Sequence, residues 1–286
     1  MEEKLQTPQD GLTPTATVHE LSDKIMAVKA DYSKTKIFAL AIAAGAFVAM
    51  GAQCCLTVST GDSQIGWGVT KLLGAMTFAT GLMMVLLTGA ELFTGNIMMS
   101  FSVLEKKISL MKLLRSWGFV YFGNFIGSLI IALLIFYGGM GSMAGNGLGV
   151  VGLQTASAKL NLSFMEAFCR GILCNWLVCL AVFMAMTSKR VIGKLFAMFF
   201  PITIFVASGY EHCVANMFFI PNAIFMKTVP AIVSTSGLGT EQLGMITWKT
   251  FIINNLIPVT LGNIVGAFVF VVLLFWIAYI REENRK

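Results

Sequence analysis

The sequence predicts an all-α membrane protein of six transmembrane helices, folded as two inverted three-helix repeats with the second and fifth helices broken. Three observations carry that expectation. The chain is 57% hydrophobic and only 12% charged, far from the balance of soluble domains. Its apolar residues gather into six long runs, two of them too long for the roughly 20 residues of one plain crossing. Each of those two runs carries a copy of G-x-E-x4-N near its middle: Gly89-Ala90-Glu91-Leu92-Phe93-Thr94-Gly95-Asn96 and Gly209-Tyr210-Glu211-His212-Cys213-Val214-Ala215-Asn216.

The spans are read as Ile37–Val58, Gly68–Val103 with a break, Leu110–Gly138, Phe164–Met186, Val191–Met226 with a break, and Thr250–Ile280. Irregular backbone at membrane depth survives only where it is buried in protein or lines a wet cavity. The twin breaks therefore mark a lined path rather than a lipid-facing surface. Basic residues alternate between the loops. Lys24, Lys29, Lys34 and Lys36 precede the first span; Lys106, Lys107, Lys112 and Arg115 follow the second; Lys189, Arg190 and Lys194 follow the fourth; Arg281, Arg285 and Lys286 close the chain. The other loops are poor in them, and the positive-inside rule then places both termini in the cytoplasm. The net charge of +6 is accounted for by topology, with no nucleic-acid partner implied.

Residues 1–35 are expected to form a cytoplasmic N-terminal segment, 36–281 the six-span channel domain, and 282–286 a cytoplasmic tail. Within the domain the first repeat is set at 36–140 and the second at 160–281. In the N-terminal segment Thr17-x-x-Glu20 has the form of a capping box, and Leu21, Ile25, Val28 and Tyr32 recur at helical spacing. An amphipathic helix follows, either an anchor lying on the membrane face or a lid over the entrance. The six cysteines lie in or beside apolar runs without C-x-x-C or metal-ligand spacing with histidine, so they are read as small hydrophobes and no metal or cofactor is expected.

A second matched pair deepens the repeat: Gly123-Asn124-Phe125-Ile126-Gly127 in the third span and Gly262-Asn263-Ile264-Val265-Gly266 in the sixth. Gly45 and Gly171 are taken to hold similar places in the first and fourth spans. Three spans are odd in number, so tandem units must insert in opposite senses, and paired breaks then meet near the membrane centre. His212 is the one histidine expected in the membrane. Its bland reading is a satisfied core ring, but the break and the repeat favour a site, because imidazole exchanges protons near neutral pH. Glu91 and Glu211 are expected to cap the half-helices through backbone N–H groups. Thr94 falls at nearly the place in the first break that His212 holds in the second. Asn175 is a further polar group at depth, either orienting the site or bridging helices.

At these residues the chain resembles the formate/nitrite transporter family. The segments that carry the resemblance are Ala90–Asn96, Leu173–Ala181, Ala207–Met217 and Asn255–Asn263, within a likeness over about residues 30–280. The resemblance implies an aquaporin-like protomer in a homopentamer in a prokaryotic cytoplasmic membrane, with one pore per subunit. It implies a central site of His212, Thr94, Asn175 and Glu211. Leu82 and Phe205 match one apolar constriction, and Leu92 and Phe93 lie in the loop near the other. Lys159 matches a basic residue that draws anions into the outer vestibule, and the N-terminal helix matches a pH-dependent lid. Aquaporin Asn-Pro-Ala boxes are absent from the breaks, which argues against a water or glycerol channel.

A naked anion pays heavily to cross a dry constriction, whereas its neutral acid pays much less. The expected function is passage of small monovalent anions, formate first, either as a pH-dependent channel or as formate/proton symport with protonation near His212. Asn255-Leu256-Ile257-Pro258-Val259-Thr260-Leu261-Gly262-Asn263 looks like formate members. Glu91-Leu92-Phe93-Thr94-Gly95-Asn96 and Cys174–Cys179 look more like nitrite members. Arg170 departs from the formate pattern, either snorkelling to the interface or strengthening the vestibule. Nitrite and hydrosulfide are the alternatives within the family. An intramembrane hydrolase built on Thr94 or Cys213 with His212 is the remote alternative from another class; no G-x-S-x-G turn or H-E-x-x-H motif supports it.

Overall fold

A computed structural model describes residues 11–61 and 66–281 of the chain. The first ten residues, the expected 282–286 tail, Arg285 and Lys286 lie outside that set. The described residues are helical, joined by short turns. Helix α1 runs through Pro14–His19, Glu20–Met26 and Ala27–Ala30. It begins one turn before the expected capping box: Thr13 is the N-cap, its hydroxyl accepting from the Ala16 amide, with Pro14 at the first helical position. Thr17 instead donates to the Thr13 carbonyl.

Among the described residues five helices are long and apolar enough to cross a membrane: α2 (Lys34–Ser59), α3 (Trp67–Thr88), α5 (Leu110–Tyr137), α7 (Phe164–Thr187) and α10 (Trp248–Arg281). Both expected breaks are present. After α3 the chain leaves helical geometry over residues 89–92 and resumes as the half-helix α4 (Phe93–Leu104). In the second half α8 (Val191–Ala207) stops, residues 208–212 are irregular, and the half-helix α9 (Cys213–Met226) follows. With 17 and 14 residues, α8 and α9 reach only about 25 and 21 Å at 1.5 Å per residue. Neither piece alone reaches the roughly 30 Å of a bilayer's hydrocarbon core.

One glycine ends each broken helix for a conformational reason. Gly89 has φ +71° and Gly209 φ +72°, the left-handed cap that closes a helix cheaply only at glycine. A Cβ at Gly209 would meet nothing within 4 Å, so the backbone alone sets the penalty. Gly209→Ala is expected to lower stability by about 1–2 kcal/mol, measurable as a reduced thermal midpoint of the purified protein.

Glycines elsewhere bring helices together. A Cβ on Gly127 would lie 2.0 Å from the Ile42 carbonyl oxygen, and one on Gly266 2.2 Å from that of Ile172. The third and sixth spans thus press directly onto the first and fourth, as the small-residue spacing implied. The same contacts correct one expected pairing. Asn124 bonds the Ala41 carbonyl where Asn263 bonds that of Gly171, so Gly171 corresponds to Ala41, and Gly45 to Asn175 one turn later.

Helix α6 (Gly147–Leu160) lies between the third and fourth spans, where the sequence predicts no element. Gly149, Leu153, Ala156 and Leu160 follow helical spacing and are buried. At the opposite end α1 is docked rather than free. Val18, Leu21, Met26 and Ala30 are buried, Ser102 donates to the Ser22 carbonyl at 2.6 Å, Arg115 donates to the Tyr32 carbonyl, and Lys107 pairs with Asp23. Leu12 adds a backbone bond to Thr187.

Candidate functional site

Breaking a helix inside a bilayer leaves backbone N–H groups without partners, and no water is available there to satisfy them. Two asparagines solve this, one per repeat. The Asn124 side chain donates to the carbonyls of Ala41 and Glu91 and accepts from the Phe93 amide, at 2.8, 2.9 and 2.9 Å. Asn263 repeats each bond: it donates to the carbonyls of Gly171 and Glu211 and accepts from the Cys213 amide, at 2.8, 2.9 and 2.9 Å. The backbone amides of Glu91 and Glu211 are held in parallel fashion by the carbonyls of Leu40 and Arg170, both at 3.2 Å. The asparagine of each G-N-x-x-G motif is therefore the clamp of its break.

The glutamates do not cap the half-helices as expected. Leu92 and His212 hold the N-cap positions. Glu91 accepts from the Asn96 side chain at 2.6 Å and lies 3.1 Å from the Lys29 amine. Glu211 accepts from Asn216 at 2.6 Å and pairs with Lys159 at 2.8 Å. Each carboxylate is almost wholly buried, where an unpaired charge is costly. The two lysines come from α1 and α6, so the internal correspondence reaches into helices that repeat boundaries at 36 and 160 leave out. Asn255, which sequence reasoning did not single out, adds bonds to Asn216 at 2.7 Å and to Glu211 at 3.2 Å.

Symmetry stops at the centre. His212 corresponds to Leu92, and Thr94 to Val214, so each repeat contributes one polar group from a different register. Thr94 Oγ1 and His212 Nε2 meet at 2.9 Å, with Thr94 fully buried and His212 3% exposed. The other ring nitrogen fixes the tautomer. His212 Nδ1 accepts from the Ala215 backbone amide at 3.0 Å, and a backbone amide only donates. In the neutral ring the hydrogen therefore sits on Nε2, which donates toward Thr94. That direction disfavours the hydrolase alternative, because a base for the Thr94 hydroxyl would need a free lone pair on Nε2.

Asn175 stands beside the pair but spends its amide on backbone: it donates to the Thr94 carbonyl at 3.2 Å and to the Asn263 carbonyl at 2.8 Å. Cys179 also donates to the Thr94 carbonyl. Both side chains hold α4 to α7, which fits the helix-bridging reading of Asn175 and leaves the Thr94 hydroxyl and the His212 Nε2–H as the groups at the centre.

Two small cavities flank the pair. One, of about 80 Å³, is lined by Phe78, Phe205, Gly209, His212, Lys71 and Lys159 among others. The other, of about 150 Å³, is lined by Leu82, Val85, Leu92, Asn96 and Lys29, with Ile25 and Met26 of α1 across it. Either is far below the 300–1,000 Å³ of pockets for drug-sized ligands, and either exceeds the ~10–15 Å³ that one water needs. A solute of a few heavy atoms fits this scale. Phe205 stacks near His212 at 6.0 Å and meets Phe78 edge-on at 5.6 Å. Leu82 and Phe205, expected as one constriction, thus line different cavities, and Phe78 is the aromatic partner that sequence reasoning missed. Phe93 lines neither cavity; its ring stands edge-on against Tyr121 and Trp117 at 4.8 and 5.9 Å. Beyond the Phe205 side lies a basic recess of about 310 Å³ lined by Lys71, Lys159, Arg170 and Glu211, so the two expected vestibule residues do share one cavity.

Comparison with known proteins gives a consistent result. A family model described as formate/nitrite transporter matches residues 16–277. The formate channel FocA of Escherichia coli (strain K12) is 37% identical over 283 residues, covering 98% of this chain and 99% of its own. The probable formate transporter of Methanothermobacter thermautotrophicus is 36% identical over 299 aligned residues, covering 99% of this chain and all of its own length. A solved structure described as a pentameric formate channel with formate bound superposes with a TM-score of 0.78 at 40% identity, over 86% of this chain and 98% of that one. With the family model matched along nearly the whole chain and full-length relatives at more than a third identity, the chain belongs to the formate/nitrite transporter family.

Proposed function

We propose that this protein is a homopentameric formate channel of a prokaryotic cytoplasmic membrane, with both termini inside and one path through each protomer. The observation that carries the reading is the buried Thr94–His212 pair, a hydroxyl and an N–H donor poised between two small, mostly apolar cavities. The names of the relatives support formate as the solute. Formate gathers at Lys159 and Arg170 in the outer vestibule, passes Phe78 and Phe205, meets His212 and Thr94, and leaves past Leu82 and Leu92. Glu211 holds Lys159 in place; Asn175 and Phe93 position α4 rather than touch the solute. Helix α1, whose Lys29 lines the inner cavity and pairs with Glu91, acts as the lid, and residues 36–281 form the channel body.

His212 serves here as a neutral donor. Protonating Nδ1 would sacrifice the bond from Ala215, whereas the Nε2–H is already available to an oxyanion. Acid dependence then arises from the solute, because the share carried as neutral acid across the apolar stretch rises as the outer pH falls. Uptake into proteoliposomes is the test. Saturable formate uptake that increases from neutral to acidic external pH is expected. Nitrite or hydrosulfide moving much faster than formate would reassign the solute, and no uptake above empty liposomes would sink the channel reading.

A further inference from the structure

The path described above has a cation that no expected role covers. Lys71 lies on α3, and the face it shares is specific. Lys71, Phe78, Leu82 and Val85 follow helical spacing along one stripe, and the last three are buried. Val69, Leu72, Leu73 and Met76 on the other side of the same turns are exposed. Read along that stripe, Lys71 comes first, Phe78 follows about 10 Å deeper at 1.5 Å per residue, and Leu82 comes next. The same order of charge, aromatic ring and aliphatic side chain marks entry into the apolar stretch.

Lys71 also belongs to both outer cavities. With Thr155, Lys159 and Gly209 it lines the basic recess and the small cavity that ends at His212. Among the described residues Lys159 is tied to Glu211, whereas neither the Lys71 amine nor the Arg170 guanidinium makes an ion pair or a hydrogen bond. Glu211 neutralises one of the three cations of the recess, and Glu166, which does not line it, is exposed within electrostatic reach of Arg170. A lysine that only snorkelled would point its stem along the lipid face of α3; this one points into the recess.

We infer that Lys71 is a specificity-determining residue of the channel, a second anion-holding site that receives a small monovalent carboxylate from the Lys159–Arg170 recess and delivers it to the Phe78–Phe205 entrance. This deepens the proposed function and rests on it. Two successive cationic stations raise the local anion concentration at the narrow step, and such focusing is sensitive to ionic strength.

The test is formate uptake into proteoliposomes by wild type, Lys71→Met and Lys71→Arg, over a formate range and at low and high ionic strength. Lys71→Met is expected to raise the half-saturation concentration about five- to tenfold and to flatten its salt dependence, while Lys71→Arg stays within about twofold of wild type. Lys71→Gln, which keeps a polar head, carries the same comparison if the methionine variant does not assemble. If the neutral variants match wild type in both half-saturation and salt response, Lys71 is an interface lysine and the inference is overturned. If wild type itself moves no formate, the channel reading fails and this inference falls with it.

Discussion

Asn263→Leu will destabilise the protein by several kcal/mol, and Asn124→Leu by a similar amount. Leucine keeps the number and branching of the side-chain heavy atoms, so the main change is the loss of the amide's hydrogen bonds. Each asparagine satisfies two backbone groups at its break, one carbonyl and one amide of the first half-helix turn, and ties them to a neighbouring helix through a third bond to the Ala41 or Gly171 carbonyl. A buried polar group left without a partner costs about 1–3 kcal/mol, and no water enters hydrocarbon to relieve it. Two such groups come to about 2–6 kcal/mol, a large share of the 5–15 kcal/mol typical of folded domains. The loss should appear as a much lower thermal midpoint and an aggregated gel-filtration profile. Ser128→Ala, which removes one bond to the Gly45 carbonyl, is the comparison, with a cost near 1 kcal/mol. An Asn263→Leu protein that melts like wild type would mean that the breaks are held by something other than these clamps.

These clamps also show where the sequence was legible. The apolar runs, the two interruptions and their internal repetition were readable, because burial in lipid demands long apolar segments and punishes irregular backbone. The meeting of Thr94 with His212 lay within reach of the paired breaks; Lys159 and Arg170, which line one recess, were expected there through the family resemblance and not from the pattern of apolar runs. The capping of the half-helices did not. A local carboxylate is the ordinary solution at a helix start, so Glu91 and Glu211 looked like caps. The actual partner of each break comes from a later helix, and no local pattern announces which carbonyls and amides a distant asparagine will take. The carboxylates are instead the counter-charges of Lys29 and Lys159.

Helix α6 was missed for a compositional reason. Its three glycines at 147, 149 and 152 lower helix propensity, and the helix is stabilised by its buried face rather than by its own preference. Pairing Gly45 with Gly171 failed more instructively. Where Asn175 sends its amide to the Asn263 carbonyl, Gly45 lets the Asn124 backbone press directly against it: a Cβ there would sit 2.1 Å from the Asn124 carbonyl oxygen. The repeats share a backbone plan at that point and differ in chemistry, and only coordinates reveal which glycine faces which asparagine.

On the proposed path, His212→Ala is expected to reduce formate uptake about 10- to 100-fold, while His212→Asn retains most of it. A hydrogen bond to a charged group is worth about 1.5–3 kcal/mol, and each 1.4 kcal/mol is tenfold. Alanine removes both the Nε2–H aimed at Thr94 and the Nδ1 acceptor that holds the Ala215 amide. Asparagine is too short to copy the ring, but its oxygen is well placed to cap the half-helix and its amide still donates. The pH response separates the two mechanisms. If acid dependence originates in the solute, His212→Asn keeps the rise in uptake at low external pH, because no titrating ring is required. If His212 passes its own proton to the solute, the asparagine variant carries formate with a flat pH profile. The Ala215 bond favours the first outcome: a ring whose second nitrogen already accepts a backbone N–H must break a helix cap each time it becomes imidazolium, whereas a neutral donor works without rearrangement.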